Sequence, residues 1–300
     1  MSGLTAFSNW RQWWPQQAAD AITDARERLS AAIARWDLQD LTVLTGGEVA
    51  VTLAGRRGAQ SVVLKVSPNV AGKTAQLADE AAGLKHWQRT GTAATVLAAA
   101  DGGLTLLLER LTPGMTLRAC ALGEQDILTA LGDVAWRLHG AGRADAPTFT
   151  HLSDSELGAD MTLALAGHHE EAAELAELLA RSPGDVLLHC DLHSLNVLKD
   201  ADGYKVIDPK PHLGDRHADI FGLLYGDHVS LPADRDAASA LAHARVACFA
   251  QAAGMNADRA RRWTRLRARS IEQWVLAMDH PTDADRRWAQ QMHAIAIALR

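Results

Sequence analysis

The stretch VLLHCDLHSLNVL, residues 186–198, constrains this chain more than any other. Two short apolar runs, Val186-Leu187-Leu188 and Val197-Leu198, bracket His189, Cys190, Asp191, His193, Ser194 and Asn196. Strand-forming residues on both sides predict that the polar set occupies a turn or loop at strand ends. Tyr204-Lys205-Val206-Ile207 repeats the strand signal and runs into Asp208. Two carboxyls and an amide are therefore expected near strand ends. Such a set suits phosphoryl transfer, where one acid accepts a hydroxyl proton and the other holds magnesium with an amide oxygen.

Other readings of the same residues stay open. Asx side chains after strands also cap turns, and His189 and His193 can be hydrogen-bonded core residues. A zinc site from His189, Cys190, Asp191 and His193 would need the two histidines to converge across a helical turn. The strand-like flanks oppose that.

Upstream, Gln17 to Trp36 has helix formers with Leu29, Ile33 and Trp36 at helical spacing, which predicts a packed face. LTVLTGGEVAVTLAGRRGAQSVVLKV breaks at Gly46-Gly47 and at Gly55 to Gly58, predicting three antiparallel strands. Gly72 to Trp87 reads as a helix, Thr95 to Leu97 and Leu104 to Leu111 as strands, and Pro113-Gly114 as a turn. Beyond a boundary near residue 112, helical patterns dominate: Asp126 to His139, within 156–180, and over 233–253, 257–278 and 284–299. The expected class is α+β in two lobes, a small antiparallel sheet over 1–112 and a mainly helical region over 113–300, with a ligand cleft between them. A chain of 300 residues, 48% hydrophobic, has enough apolar surface for both.

Charge argues against nucleic acid as a partner, since 36 acidic residues outnumber 30 basic ones. The arginines at 259, 261, 262, 265, 267 and 269 form too local a cluster to change that. Three cysteines form neither a disulfide framework nor a paired metal motif. No secretory leader and no 18-residue apolar run is evident. A cytoplasmic protein without a membrane partner, monomeric or homodimeric, is expected.

HCDLHSLNVL with VIDPKP resembles the aminoglycoside phosphotransferase and choline kinase-like superfamily, relatives of protein kinases, whose pattern is H-G-D-x-H-x-x-N followed by I-D. IDPKPHLGDRHADI is similar to the streptomycin 6-phosphotransferase branch, also linked to hydroxyurea phosphotransferases. The likeness spans roughly residues 40 to 230. It implies a two-lobed protein-kinase-like fold using ATP and Mg2+. On it, Asp191 matches the catalytic aspartate, and Asn196 and Asp208 match the magnesium ligands. His189 and His193 would support the loop, and Asp219 would be structural.

In the N-lobe, the likeness implies that Lys65 meets the nucleotide phosphates while Glu80 orients it. Solvated surface side chains are the alternative reading of that pair. Gly46 and Gly47 match the phosphate-covering turn, and Glu109 to Leu111 the connection whose backbone meets the purine. Lys210 is typical of the branch, yet its role stays open among phosphate contact, pairing with an acid, and solvation. Cys190 departs from the family glycine. A side chain there is tolerated if the backbone dihedrals are ordinary, and its thiol is expected to pack as a small hydrophobe.

The resemblance implies phosphorylation of a small-molecule hydroxyl, with an aminoglycoside such as streptomycin, at its 6-hydroxyl, as acceptor. Acidic groups would meet such a cationic substrate. Asp154, Glu156, Asp160, Asp215, Asp227 and Asp279 are candidates, and Asp215 is favoured by its closeness to the metal strand. Trp136, Trp263, Trp274 and Trp288 are expected to pack between helices rather than stack on sugars, with a pocket lining the alternative for Trp274 and Trp288. A kinase of another hydroxylated metabolite, a nucleotide-binding regulatory pseudokinase and an interaction protein are the competing functions.

Overall fold

Apolar strand residues buried against the leading helices organise the first hundred residues. The computed structural model of the chain describes residues 5–13, 15–44, 49–70, 76–142, 149–224 and 230–300. Two units emerge, Met1–Gly114 and Met115–Arg300.

In the first unit, α1 (Thr5–Trp13) and α2 (Ala18–Arg35) precede β1 (Leu38–Val43), β2 (Val51–Arg57) and β3 (Gln60–Val66). Then come α3 (Gln76–Trp87), β4 (Val96–Ala100) and β5 (Thr105–Glu109). The five strands form one antiparallel sheet in the order β1-β2-β3-β5-β4. Leu64 in the central strand pairs with Leu53 on one side and Leu107 on the other. These leucines are buried with Phe7, Trp10, Ile22 and Leu29 from the leading helices in one apolar cluster. Arg28 is buried on α2 and donates to the Ser67 and Leu104 carbonyls. A charged side chain thus satisfies backbone acceptors that burial would otherwise leave costly.

Pro113-Gly114, expected as a turn, instead opens β6 (Pro113–Thr116). Gly114 keeps a turn-like φ of 71°, but the chain runs on extended beside β8 (Val197–Asp200) in a sheet of order β6-β8-β9. The strand β9 covers Gly203–Val206. The second unit also contains α4 (Glu124–His139), α5 (Glu156–Ala164), α6 (His169–Leu179), β7 (Val186–Leu188) and β10 (His212–Gly214). A 3-10 helix (Arg216–Leu224) follows, then α7 (Arg235–Ala252), α8 (Ala257–Leu276) and α9 (Asp283–Ala298).

The arginine cluster lies on α8 and is spent inside the protein. Arg262, Arg265 and Arg269 pair with Glu171, Glu174 and Glu177 of α6 and with Glu272. Arg261 pairs with Asp258, and Arg259 with Asp215. The pairs with α6 attach that helix to α8, and Arg261–Asp258 and Arg269–Glu272 lie within α8 itself. Among the described residues, no helix is long and apolar enough to cross a membrane.

Candidate active site

The wholly buried triplet of β7 carries the chain into the core, where Leu188 pairs with His212 of β10. The loop that follows hangs from one carboxylate. Asp219 accepts the His189 backbone N–H at 3.0 Å and a His139 Nε2 contact at 2.8 Å on Oδ2, and the Cys190 N–H at 2.8 Å on Oδ1. It is fully buried in the 3-10 helix. Burial opposes its ionisation, but the His139 hydrogen bond and charge, with His189, bring its pKa below the ordinary carboxylate value. The same helix approaches the loop through Gly222. A Cβ there would stand 1.5 Å from the Leu192 carbonyl oxygen, so only a residue without a side chain fits.

His189 stiffens the loop from within. Its Nε2 donates to the Ile207 carbonyl at 3.1 Å, and its Nδ1 accepts the Asp191 N–H at 3.3 Å. Burial lowers its pKa, which favours the neutral ring. Both nitrogens are engaged, so His189 is no metal ligand. Asn196 Nδ2 donates to the Asp191 carbonyl at 2.9 Å, and the Asn196 carbonyl accepts the Ile207 N–H at 3.0 Å. The segment carrying Asp208 is thereby tied to the segment carrying Asp191.

Asp191 has one cationic or polar neighbour for each oxygen. Lys210 Nζ is 3.0 Å from Oδ2 and His193 Nε2 is 3.4 Å from Oδ1. Burial raises the Asp191 pKa, but His193 and Lys210 outweigh it and hold the carboxyl well below its usual range. Asp191 is therefore an anion at neutral pH, the form that can accept a proton.

Asn196 and Asp208 offer a hard oxygen pair that fits magnesium. The Asn196 amide nitrogen is committed inside the loop, so the amide oxygen is the end suited to an ion. Asp208 is an exposed carboxylate with φ of 59°. Among the described residues, no group of three His, Cys, Asp or Glu could hold a metal.

Cys190 does not meet the condition of ordinary dihedrals. Its φ is 57°, in the left-handed region that favours glycine. Its N–H bond to Asp219 holds it there. Burial pushes the thiol pKa well up, so the sulfur is a packed, protonated group and not a nucleophile. Cys190→Val, β-branched at this φ, should lose about 1–3 kcal/mol of stability, and Cys190→Gly should lose less. Chemical denaturation of both variants checks this, and equal losses would remove the backbone explanation.

In the first unit, Lys65 faces Glu80, with Nζ 2.6 Å from Oε2 and both side chains buried. Lys65 sits in β3 between Thr52 and Leu106 of the neighbouring strands, and Glu80 comes from α3. Two solvated surface side chains do not describe this pair. Glu109 ends β5, and its carboxylate accepts the Thr95 N–H and Oγ1, each at 2.8 Å. Leu111 is buried. Gly46 and Gly47 lie outside the described residues.

The acceptor candidates divide. Asp215 is not free to meet a substrate. It accepts from Trp263 Nε1 and Arg259 Nε, each at 2.6 Å, and contacts His217 Nδ1 at 2.6 Å. It joins the 3-10 helix to α8. Asp154 pairs with Arg181 on the surface, Glu156, Asp160 and Asp279 are exposed, and Asp227 lies outside the described residues. Trp263 is buried as expected, but Trp136 and Trp274 are 60% and 50% exposed. Sequence reasoning missed His139 and Gly222. His139 showed only as the last polar residue of an amphipathic helix, and nothing local linked it to Asp219.

Known proteins match this chain in sequence and in fold. A hydroxyurea phosphotransferase from Kitasatospora aureofaciens is 33% identical over 204 residues, covering 63% of this chain and 57% of that protein. The chain thus spans less than two thirds of that relative's length. A choline/ethanolamine kinase family protein from Mesorhizobium loti has the same fold, with a TM-score of 0.63 and 18% identity over 93% of this chain and 94% of that one. Aminoglycoside phosphotransferase APH(4)-Ia follows, with a TM-score of 0.58 and 18% identity over 91% of this chain and 99% of that one. These likenesses identify a two-lobed fold with a small antiparallel sheet and a largely helical second lobe. Residues 35–278 match the family model described as aminoglycoside/hydroxyurea antibiotic resistance kinase, and the chain belongs to that family.

Proposed function

We propose that the protein is an ATP- and Mg2+-dependent O-phosphotransferase acting on a small-molecule hydroxyl, with an aminoglycoside such as streptomycin, at its 6-hydroxyl, as the acceptor. The observation that carries this reading is Asp191, an anion in a loop braced by Asn196, whose backbone carbonyl also accepts the N–H of Ile207 next to Asp208. In the reaction, the acceptor oxygen bonds the terminal phosphorus as the bond to the departing nucleoside diphosphate breaks. The hydroxyl proton passes to Asp191. Asn196 and Asp208 would hold magnesium, which offsets phosphate charge when bound.

Residues 1–112 would serve the nucleotide. Lys65 binds phosphate, Glu80 holds Lys65, Gly46 and Gly47 cover the phosphates, and the Glu109 to Leu111 backbone meets the purine. Residues 113–300 would supply the chemistry and the acceptor pocket. Free cysteines at 120, 190 and 248 suit a reducing cytoplasm, where the chain would act as a monomer or homodimer.

Lys65→Met should weaken MgATP binding about tenfold or more, the worth of roughly one charged contact. Adding Glu80→Leu removes the stranded buried acid and should restore stability without restoring affinity. Calorimetric titration with MgATP reads both effects, and full-strength binding by the double variant would cancel the Lys65 assignment.

The deciding experiment incubates the protein with MgATP and a mixture of aminoglycosides, sugars, small alcohols and hydroxyurea, then weighs every product. Streptomycin gaining one phosphate at its 6-hydroxyl is the expected result. The hydroxyurea phosphotransferase likeness favours hydroxyurea as the second acceptor. Phosphorylation of another metabolite alone would reject the aminoglycoside, and nucleotide binding without any product would favour a regulatory pseudokinase.

A further inference from the structure

We infer that Lys210 is a positioning residue for phosphoryl transfer: its ammonium fixes the Asp191 carboxylate for the acceptor hydroxyl. The inference rests on the phosphotransferase reading above and adds a part to it.

Lys210 Nζ stands 3.0 Å from Asp191 Oδ2. The lysine side chain is 64% exposed, and an ion pair with so wet a partner adds little to stability. Yet its backbone is held firmly. The Lys210 N–H donates to the His189 carbonyl at 2.9 Å, and Pro209 and Pro211 on either side are buried. Two flanking prolines restrict the segment further. A stiff mount for a side chain of little stabilising value points to a role in orientation.

The placement explains the result. The N–H of Lys210 and the N–H of Asp191 both bond to His189, one at its carbonyl and one at its ring. One histidine therefore sets the lysine and the aspartate relative to each other. His193 attends the other carboxylate oxygen, so the two contacts define the plane of the carboxylate. A cation at one oxygen and a ring nitrogen at the other restrain rotation about the side chain. Correct alignment of a proton acceptor is a large part of its catalytic effect.

The test is a double-mutant cycle on the full chain, with steady-state kinetics on whichever acceptor the wild type phosphorylates. Lys210→Met should lower kcat about tenfold or more while KM for ATP and acceptor shift less than about threefold. Lys210→Arg should recover part of the loss. In an Asp191→Asn background, Lys210→Met should cost less than about twofold, because the partner it aligns is already gone. Binding gives a second readout. Lys210→Met should bind MgADP like the wild type but bind MgADP with aluminium fluoride more weakly. Unchanged kcat in Lys210→Met, or losses that simply multiply in the cycle, overturn the inference alone. A wild type that binds MgATP but phosphorylates nothing overturns the proposed function and this inference with it.

Discussion

Asp191→Asn will lower kcat by about a hundred- to ten-thousand-fold, the usual range for removing a general base, with MgATP affinity nearly unchanged. The amide has the size of the carboxylate but cannot take up the hydroxyl proton. The loop itself should persist, because its anchors do not use the Asp191 side chain. His189 bonds Ile207, Asp219 holds the His189 and Cys190 N–H groups, and Asn196 grips the Asp191 backbone carbonyl. Single-turnover kinetics and calorimetric binding together read the split. Equal losses in turnover and in nucleotide affinity would contradict the role given to Asp191.

Asp219→Ala will cost about 3–5 kcal/mol of folding stability, the range for removing one member of a buried charged network. That is a large part of the 5–15 kcal/mol that holds a typical domain. The backbone N–H groups of His189 and Cys190 lose their acceptor, and His139 loses its partner in a site closed to water. Cys190 also loses the bond that holds its left-handed backbone. Denaturant titration measures the loss, and a variant as stable as the wild type would dismiss the hub. The pH dependence has a definite sign. The folded-state pKa of Asp219 is depressed, so its stabilising contribution is present above the unfolded carboxylate value, about 3.9, and fades as pH falls through the folded value. Removing Asp219 should therefore flatten the acid limb of the stability profile.

Local pattern carried much of the architecture. Residues 38–66 hold three antiparallel strands, although Gly55 to Arg57 lie within β2, the turn falls at Gly58-Ala59, and Gly46-Gly47 is outside the described residues; the helical spacings after residue 124 correspond to real helices. Pro113-Gly114 was misread because a turn-forming dipeptide also fits the bent start of a strand. The candidate site residues were legible for a related reason. Asp191, Asn196 and Asp208 stand next to apolar strands, where unpaired polar groups are costly without a purpose. Lys65 and Glu80 were harder, since a strand lysine and a helix glutamate look the same in sequence whether buried or wet.

Asp215 shows the limit most clearly. Its nearness to Asp208 in sequence suggested a substrate contact, but Trp263 and Arg259, more than forty residues on, consume its oxygens. Trp136 and Trp274 show it from the other side, since helical spacing cannot tell a packed face from one left in water.

The sequence alone determined most of the order of the elements, the two-lobed class and the candidate site residues. All of these depend on neighbours a few residues apart. Only the tertiary structure decided that Asp219 hangs the loop from His139, that Cys190 sits at a left-handed φ, and that Lys210 meets Asp191. Those facts depend on groups brought together from distant segments. Burial then sets their hydrogen bonds and protonation, and no local pattern encodes either.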